Sequence, residues 1–267
     1  MKKIISIALI FVLCFTLAAC SGKSNKNAIV GEWKATDTDA TATFNKDGSC
    51  KIKFDIIFNS YDLDADATWK YDKEAGCYYI STATAMNATI ETVSDIEYFT
   101  LPLIPTRDIV FYRAEDYEKA LQLTIEKQKN EIAKTKEGKT KLEFGKAYDF
   151  DNGISVNFTD ISFNENNLLT VKMNATNNST ADTEFLPYYK SKYYSYGGDA
   201  SFNRHTQSYL FKGETREYTF DILEYDENIV KALDVFGEFS GIAYFEIGST
   251  EYYIDLGEYI TKDISVS

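Results

Sequence analysis

The sequence predicts a mainly β chain: a small β-barrel, a connecting α-helix and a β-sandwich. Three observations predict it. Residues 28–113 and 139–267 carry short runs in which apolar and polar side chains alternate, the period of a strand with one buried face. Asp47-Gly48 and Asn152-Gly153 punctuate those runs as hairpin turns. Between them, residues 114–136 change to three- and four-residue spacing, the period of a helix. The 20 Tyr and 18 Phe suit strand-rich, half-buried surfaces.

The chain opens with Lys2 and Lys3, followed by an apolar run over residues 4–19 broken only by Ser6 and Thr16. Such a run is shorter than the ~20 residues that cross a ~30 Å hydrocarbon core. It reads as a secretory signal. Leu17-Ala18-Ala19-Cys20 resembles the bacterial lipobox. That resemblance implies cleavage before Cys20 and a diacylglycerol on its thiol; the plainer alternative is a cleaved signal with no role for Cys20. Each buried methylene contributes ~0.8 kcal/mol, so two or three acyl chains on Cys20 would hold firmly. Residues 1–19 are then a lipoprotein signal peptide and residues 20–27, all but free of apolar side chains, a flexible tether. No later run is long and apolar enough to span a membrane. The implied place is the cell membrane, lipid-anchored and facing outside the cytoplasm of a bacterium.

Residues 28–113 read as a meander. Residues 41–45 lead into the Lys46-Asp47-Gly48 turn, and residues 49–58 follow with Ile52, Phe54, Ile56 and Phe58 on one face. Residues 67–71 and 77–82 repeat the scheme about a turn at 72–76. Pro102 and Pro105 mark a loop before a last strand at 108–113. Gly31-Glu32-Trp33 with Asn45-Lys46-Asp47-Gly48 resembles the small lipocalin-like domains of bacterial surface proteins. By that resemblance Trp33 closes one end of the barrel and Arg113, or else Arg107, stacks on it. The resemblance also allows a carrier of a small apolar ligand, against a solid barrel filled by side chains.

Of the four cysteines, Cys14 falls in the leader and Cys20 is the lipidation site. Cys50 and Cys77 are a candidate disulfide, which closing that loop makes worth ~3–4 kcal/mol. If they begin alternate strands of the meander, they stand ~9.6 Å apart at ~4.8 Å per strand. That exceeds the ~7 Å reach of the bond.

In the connecting helix, 114–138, Tyr117, Leu121, Ile125, Gln128 and Ile132 form one narrow stripe. Glu115 and Lys119 have the spacing of a favourable pair. Gly138 supplies the stop. Beyond it, residues 154–158, 169–175, 218–222 and 241–256 alternate as strands, with turns at 151–153, at Gly213 and at 248–250. Short strands at near-regular spacing over 139–267 argue a sandwich. Asp151-Asn152-Gly153, then Asn177-Asn178-Ser179, then Gly213-Glu214-Thr215 resembles the immunoglobulin-like, telokin-like domain of Firmicute surface lipoproteins. The resemblance covers roughly 141–256, places the host among Gram-positive bacteria, and speaks to fold. Residues 227–236 read as a helical turn.

The formal net charge of −13 becomes −15 without Lys2 and Lys3. An acidic surface repels nucleic acid and anionic headgroups and favours cationic partners. His205 is the single histidine, which excludes histidine metal cages, and its polar setting reads as exposed. Cys50 and Cys77 lack zinc-site spacing. No nucleophile elbow, phosphate loop or dinucleotide fingerprint occurs. Asp62, Asp64 and Asp66 fail as an EF-hand, since Ala67 and Lys73 stand where glycine and glutamate are needed. No catalytic residue, metal site or cofactor is expected.

The most unusual stretch is 186–198, where Tyr188, Tyr189, Tyr193, Tyr194 and Tyr196 cluster with Lys190 and Lys192. Tyrosines make low-entropy contact surfaces. Either these five form a binding face, or alternate ones pack inward from an edge hairpin. The expected function is a non-catalytic, lipid-anchored binding or scaffold protein of the bacterial envelope, with a protein or other envelope component as partner. The alternatives are the barrel carrier and an envelope enzyme without a recognisable motif.

Overall fold

A computed structural model of the chain describes residues 26–54, 65–82, 85–104, 107–150, 152–195, 198–205, 208–247, 249–262 and 264. For residues 65, 66, 104, 107, 198–205 and 208 the backbone alone is described. Among the described residues the protein is mainly β with two α-helices, and the chain divides into two compact units after Leu123. No helix among the described residues is long and apolar enough to cross a membrane.

The first unit is one antiparallel sheet. Its strands are β1 (Gly31–Ala35), β2 (Thr41–Phe44), β3 (Ser49–Lys53), β4 (Ala65–Asp72), β5 (Cys77–Ser81), β6 (Ala85–Ala88), β7 (Glu91–Val93), β8 (Ile96–Ile104) and β9 (Arg107–Arg113). They are ordered β6-β5-β4-β3-β2-β1-β9-β8-β7. The sheet curls until β6 returns within 8 Å of β8, Cα to Cα. The alternation read from sequence lines its inner face. Phe44 and Ile52 are buried while Lys51 and Lys53 point out. Aromatic rings fill the interior in a continuous chain. Trp33 meets Phe99 edge-on at 4.8 Å, Phe99 stacks on Phe111 at 5.1 Å, and Phe44 links Phe99 to Trp69 at 5.7 and 6.4 Å.

Two expectations for this unit need correction. The strand expected over 49–58 ends at Lys53, with Phe54 still buried; residues 55–58 lie outside the described residues, as do Asp62 and Asp64. Pro102 does not sit in a loop. Strand β8 runs through it, and the register with β9 shifts between Leu101 and Ile104. A bulge spares the ladder the N–H that proline lacks. The tight β7–β8 turn at Ser94 and Asp95, both at positive φ, has no glycine to announce it.

Trp33 and Arg113 are direct cross-strand partners of β1 and β9. The guanidinium carbon lies 4.0 Å from the indole centroid. Arg113 also donates to the Val30 carbonyl at 2.8 Å, to the Ala28 carbonyl, and to Glu97 at 2.9 Å. Trp33 Nε1 donates to the Ile29 carbonyl at 2.8 Å. Gly31 has φ +132°, and a Cβ there would stand 2.9 Å from an Arg113 nitrogen. The Gly31-Glu32-Trp33 motif is thereby explained: glycine leaves room for the arginine that covers the tryptophan.

Helix α1 (Tyr117–Lys136) follows a 3-10 turn over Ala114–Asp116. Its buried stripe is Ala120, Leu121, Gln128 and Ile132. Lys119 pairs with Asp116 at 3.6 Å instead of with Glu115, because the 3-10 turn moves Glu115 out of helical spacing.

In the second unit, strands β10 (Thr140–Lys141), β11 (Ala147–Asp149), β12 (Ile154–Phe163), β13 (Leu168–Asn177), β14 (Thr183–Phe185), β15 (Tyr188–Ser195), β16 (Gly198–His205), β17 (Ser208–Leu210) and β18 (Thr215–Glu224) precede helix α2 (Glu227–Phe236). Strands β19 (Ser240–Ile247) and β20 (Thr250–Asp255) complete it. One sheet is β10-β20-β19-β15-β16, a second is β11-β12-β13-β18, and β14-β17 is a separate ribbon. The two larger sheets share one core. Phe158 of β12 meets Phe245 of β19 at 4.8 Å, and Tyr189 of β15 meets Phe220 of β18 at 5.5 Å. Residues 227–236 are a full ten-residue helix, capped by the Asp226 carboxylate and ended by Gly237 in the left-handed region.

Asn177, the first residue of the Asn177-Asn178-Ser179 sequence, is fully buried at the end of β13. Its Nδ2 donates to the Ala181 and Leu210 carbonyls at 2.9 and 2.8 Å, and its Oδ1 accepts from the Ser179 amide at 2.9 Å. This one side chain ties the β13–β14 connection to β17.

Three outcomes follow for stability. Arg113→Lys cannot reproduce the fork to two carbonyls and a carboxylate, and should cost about 2 kcal/mol in denaturant unfolding. Gly31→Ala should destabilise the same unit, since its Cβ meets the arginine and its φ suits only glycine. Asn177→Ala removes the side-chain donor to the buried Leu210 carbonyl and should cost about 1–3 kcal/mol, whereas the exposed neighbour Asn178→Ala should leave the melting temperature nearly unchanged.

Candidate functional site

Strand alternation divides the tyrosine cluster. In β15, Tyr189, Ser191 and Tyr193 point into the core, while Tyr188, Lys190, Lys192 and Tyr194 point outward, half-buried. The five tyrosines therefore do not form one surface. Tyr189 donates its hydroxyl to the Asp221 carbonyl at 2.5 Å. Burial pushes the Tyr193 hydroxyl up to about 12. Tyr196 lies outside the described residues, as does Cys20. His205 ends the edge strand β16, opposite Tyr188 in register.

The outward face gains residues that sequence spacing did not bring together. Lys190 is opposite Tyr244 of β19, and Tyr244 is opposite Tyr253 of β20. Tyr188, Lys190, Tyr244 and Tyr253 thus make one continuous patch across three strands. Each tyrosine on this face carries a lysine ammonium over its ring. Lys190 lies 5.2 Å from the Tyr188 centroid and 5.8 Å from that of Tyr244. Lys139 is 4.8 Å from Tyr244, and Lys136 is 5.7 Å from Tyr253. Hydrogen bonding to Tyr188, and then the charge of Tyr244, raise the Lys190 ammonium above its ordinary value. The local signal was present in "GIAYFEIGSTEYYIDL", where Tyr244 and Tyr253 take outward positions. The missing information was which strand lies beside β15.

The other half of this face is covered. The Glu131 carboxylate on α1 accepts from the Tyr194 hydroxyl and from Lys192 at 3.4 Å. Lys129 pairs with Glu238 at 2.5 Å, and Lys136 with Asp255. Ile242, in the same outward row as Lys192, is fully buried, as expected of a residue beneath the helix. Tyr194 is thus a clamp for the helix, and the open contact patch is Tyr188, Lys190, Tyr244 and Tyr253.

Cys50 and Cys77 are free thiols. Cys50 is the second residue of β3 and Cys77 the first of β5, with β4 between the two strands, and Cys50 is buried while Cys77 is half-buried. Burial pushes the Cys50 thiol up to about 11, so it stays protonated and unreactive near neutrality. No group of three or more metal-ligating side chains occurs among the described residues. The face offers contact area, hydroxyls and ammonium groups, and no arranged nucleophile and base.

The Glu131 clamp gives a pH dependence. The Tyr194 hydroxyl, then Lys192, hold this carboxyl below its ordinary value. Its contribution is therefore complete above the ordinary carboxylate range and is lost as pH falls through the lowered folded value. Hydrogen exchange of residues 124–136 should accelerate in acid, and Glu131→Gln should show that faster exchange already at neutral pH. Comparison of this chain with protein-family models, curated proteins and solved structures finds no match.

Proposed function

We propose that this is a lipid-anchored, non-catalytic binding or scaffold protein of the bacterial envelope. The curled sheet is read as a lipocalin-like domain with a solid core, and the two-sheet unit as an immunoglobulin-like sandwich. The observation that carries the binding reading is the open patch of Tyr188, Lys190, Tyr244 and Tyr253 on the five-stranded sheet. Tyrosine and lysine stems supply amphipathic contact area, and a sheet fixes their spacing without ordering a loop. The anchoring reading rests on the basic start, the short apolar run and Leu17-Ala18-Ala19-Cys20. The ring chain from Trp33 to Trp69 supports a filled barrel over a carrier.

The test has two arms. Mass spectrometry of the native protein should find a mature chain that begins at an acylated Cys20; an unmodified thiol overturns the anchoring. Residues 21–267 should capture an envelope component by cross-linking, and Tyr188→Ser with Tyr244→Ser and Tyr253→Ser should weaken capture about tenfold or more at an unchanged melting temperature. Undiminished capture by that variant overturns the assignment of the face.

A further inference from the structure

The outward face of the five-stranded sheet is built in cross-strand rows, and one row is already occupied. Lys192 of β15 stands opposite Ile242 of β19, and Ile242 opposite Asp255 of β20. Helix α1 takes both ends of that row: Glu131 reaches Lys192 at 3.4 Å, and Lys136 pairs with Asp255. Between the two ends Ile242 is fully buried, and Ile132, the residue after Glu131, is buried too. Neither isoleucine is part of the sandwich core. The next row, Lys190, Tyr244 and Tyr253, is the open patch. Lys136 also stands 5.7 Å from the Tyr253 ring, where the covered and open rows meet. One contact surface therefore continues beneath the helix.

Residues 124–136 are held on this face in a way that lets them leave it. They belong to the second unit, and of their side chains only Gln128 and Ile132 are buried. A strut that closes on a sheet buries a continuous apolar stripe; this half of the helix buries one aliphatic side chain. The hold comes through partly exposed side chains: Glu131 with Tyr194 and Lys192, Lys129 with Glu238 at 2.5 Å, and Lys136 with Asp255. Exposed pairs of this kind contribute little to holding two elements together. A cleft of about 330 Å³ lies between helix and sheet, with Ile132, Ala133, Phe239, Gly241 and Gly257 in its lining, where core elements would interlock. Gly138, at φ +76° with open space where a Cβ would stand, follows the last turn and gives the chain a hinge.

The helix also shows what chemistry the covered row accepts. A carboxylate is bound by the Tyr194 hydroxyl and the Lys192 ammonium. The next residue is a buried aliphatic, and an ammonium five residues after the carboxylate reaches Asp255. We infer that residues 124–136 are an autoinhibitory cover, and that the full face takes a partner helix of the same kind, with a carboxylate, an adjoining aliphatic side chain and a cation further along. Seating that helix requires α1 to lift, so the covered row and the open patch act as one surface only in the bound state. The inference rests on reading the open patch as a contact face, and adds the element that regulates it.

The test uses the full-length chain and a fluorescent synthetic peptide of residues 117–136. The chain's own helix competes at the high effective concentration of a tethered segment, so the parent should bind the peptide weakly. Glu131→Gln with Ile132→Ser in the chain should empty the row. Amide hydrogens of residues 124–136 should then exchange about tenfold faster or more, and affinity for the peptide should rise about tenfold or more. The same two substitutions placed in the peptide should abolish that binding. Strands β13 and β18 should keep the parent's exchange, which shows the sandwich intact. In the parent, residues 124–136 should exchange by local opening well before β13 and β18. Parent amides of 124–136 that exchange only together with β13 and β18 overturn the cover, whether or not the variant folds. So does a folded variant that binds the peptide no better than the parent, or binds both peptides equally. The open patch is read separately: if Tyr188→Ser with Tyr244→Ser and Tyr253→Ser leaves capture undiminished while these results hold, the covered row stands as a helix site of its own and the patch assignment falls.

Discussion

A strand sends successive side chains to opposite faces, and every antiparallel sheet here has one face to bury. That constraint organises both units. It places Phe44, Ile52, Phe99 and Phe111 inside the curled sheet and the lysines of β3 outside. It splits a run of neighbouring tyrosines into core residues and outward, half-buried ones. A residue in such a strand has its role set by parity as much as by type. Tyr193 is core and Tyr194 holds a helix, although they are adjacent and chemically the same.

Parity leaves the ends of strands unresolved, because there the backbone loses its ladder partners. The protein meets this with polar side chains that reach across chain connections. Arg113 spans from the end of β9 to the carbonyls of Ala28 and Val30. Asn177 spans from the end of β13 to those of Ala181 and Leu210. Both are planar groups with several donors in fixed geometry, which is what two carbonyls at a set separation require. The same demand explains why glycine stands at Gly31 beside one and at Gly153 near the other, where a Cβ would meet Ser179 at 2.9 Å.

Much of the fold was legible in the sequence where a local rule decides it. The Asp47-Gly48 and Asn152-Gly153 turns, the helical stripe from Tyr117 to Ile132 and the alternation of 218–222 are all one-segment signals. The ribbon β14–β17 and the short parallel pairing of β10 with β20 were not legible, since each joins segments far apart and too short to show a period. Pro102 misled because proline breaks strands in general, and a bulge is the exception. The candidate face was half legible. Tyr188 and Lys190 stand out in the sequence, but Tyr244 and Tyr253 reach them only through strand order, which alternation does not specify.

The state of Cys50 carries a consequence for biogenesis. With one thiol sealed among apolar side chains and the other on a strand two places away, neither folded unit depends on an oxidant to reach its shape. Oxidative folding catalysts have no substrate in this pair, and isomerisation of a wrong bridge is not a hazard on its route. The polypeptide is suited to mature equally in thiol-rich and thiol-poor surroundings, and of the two thiols Cys77 is the one a small electrophile reaches first.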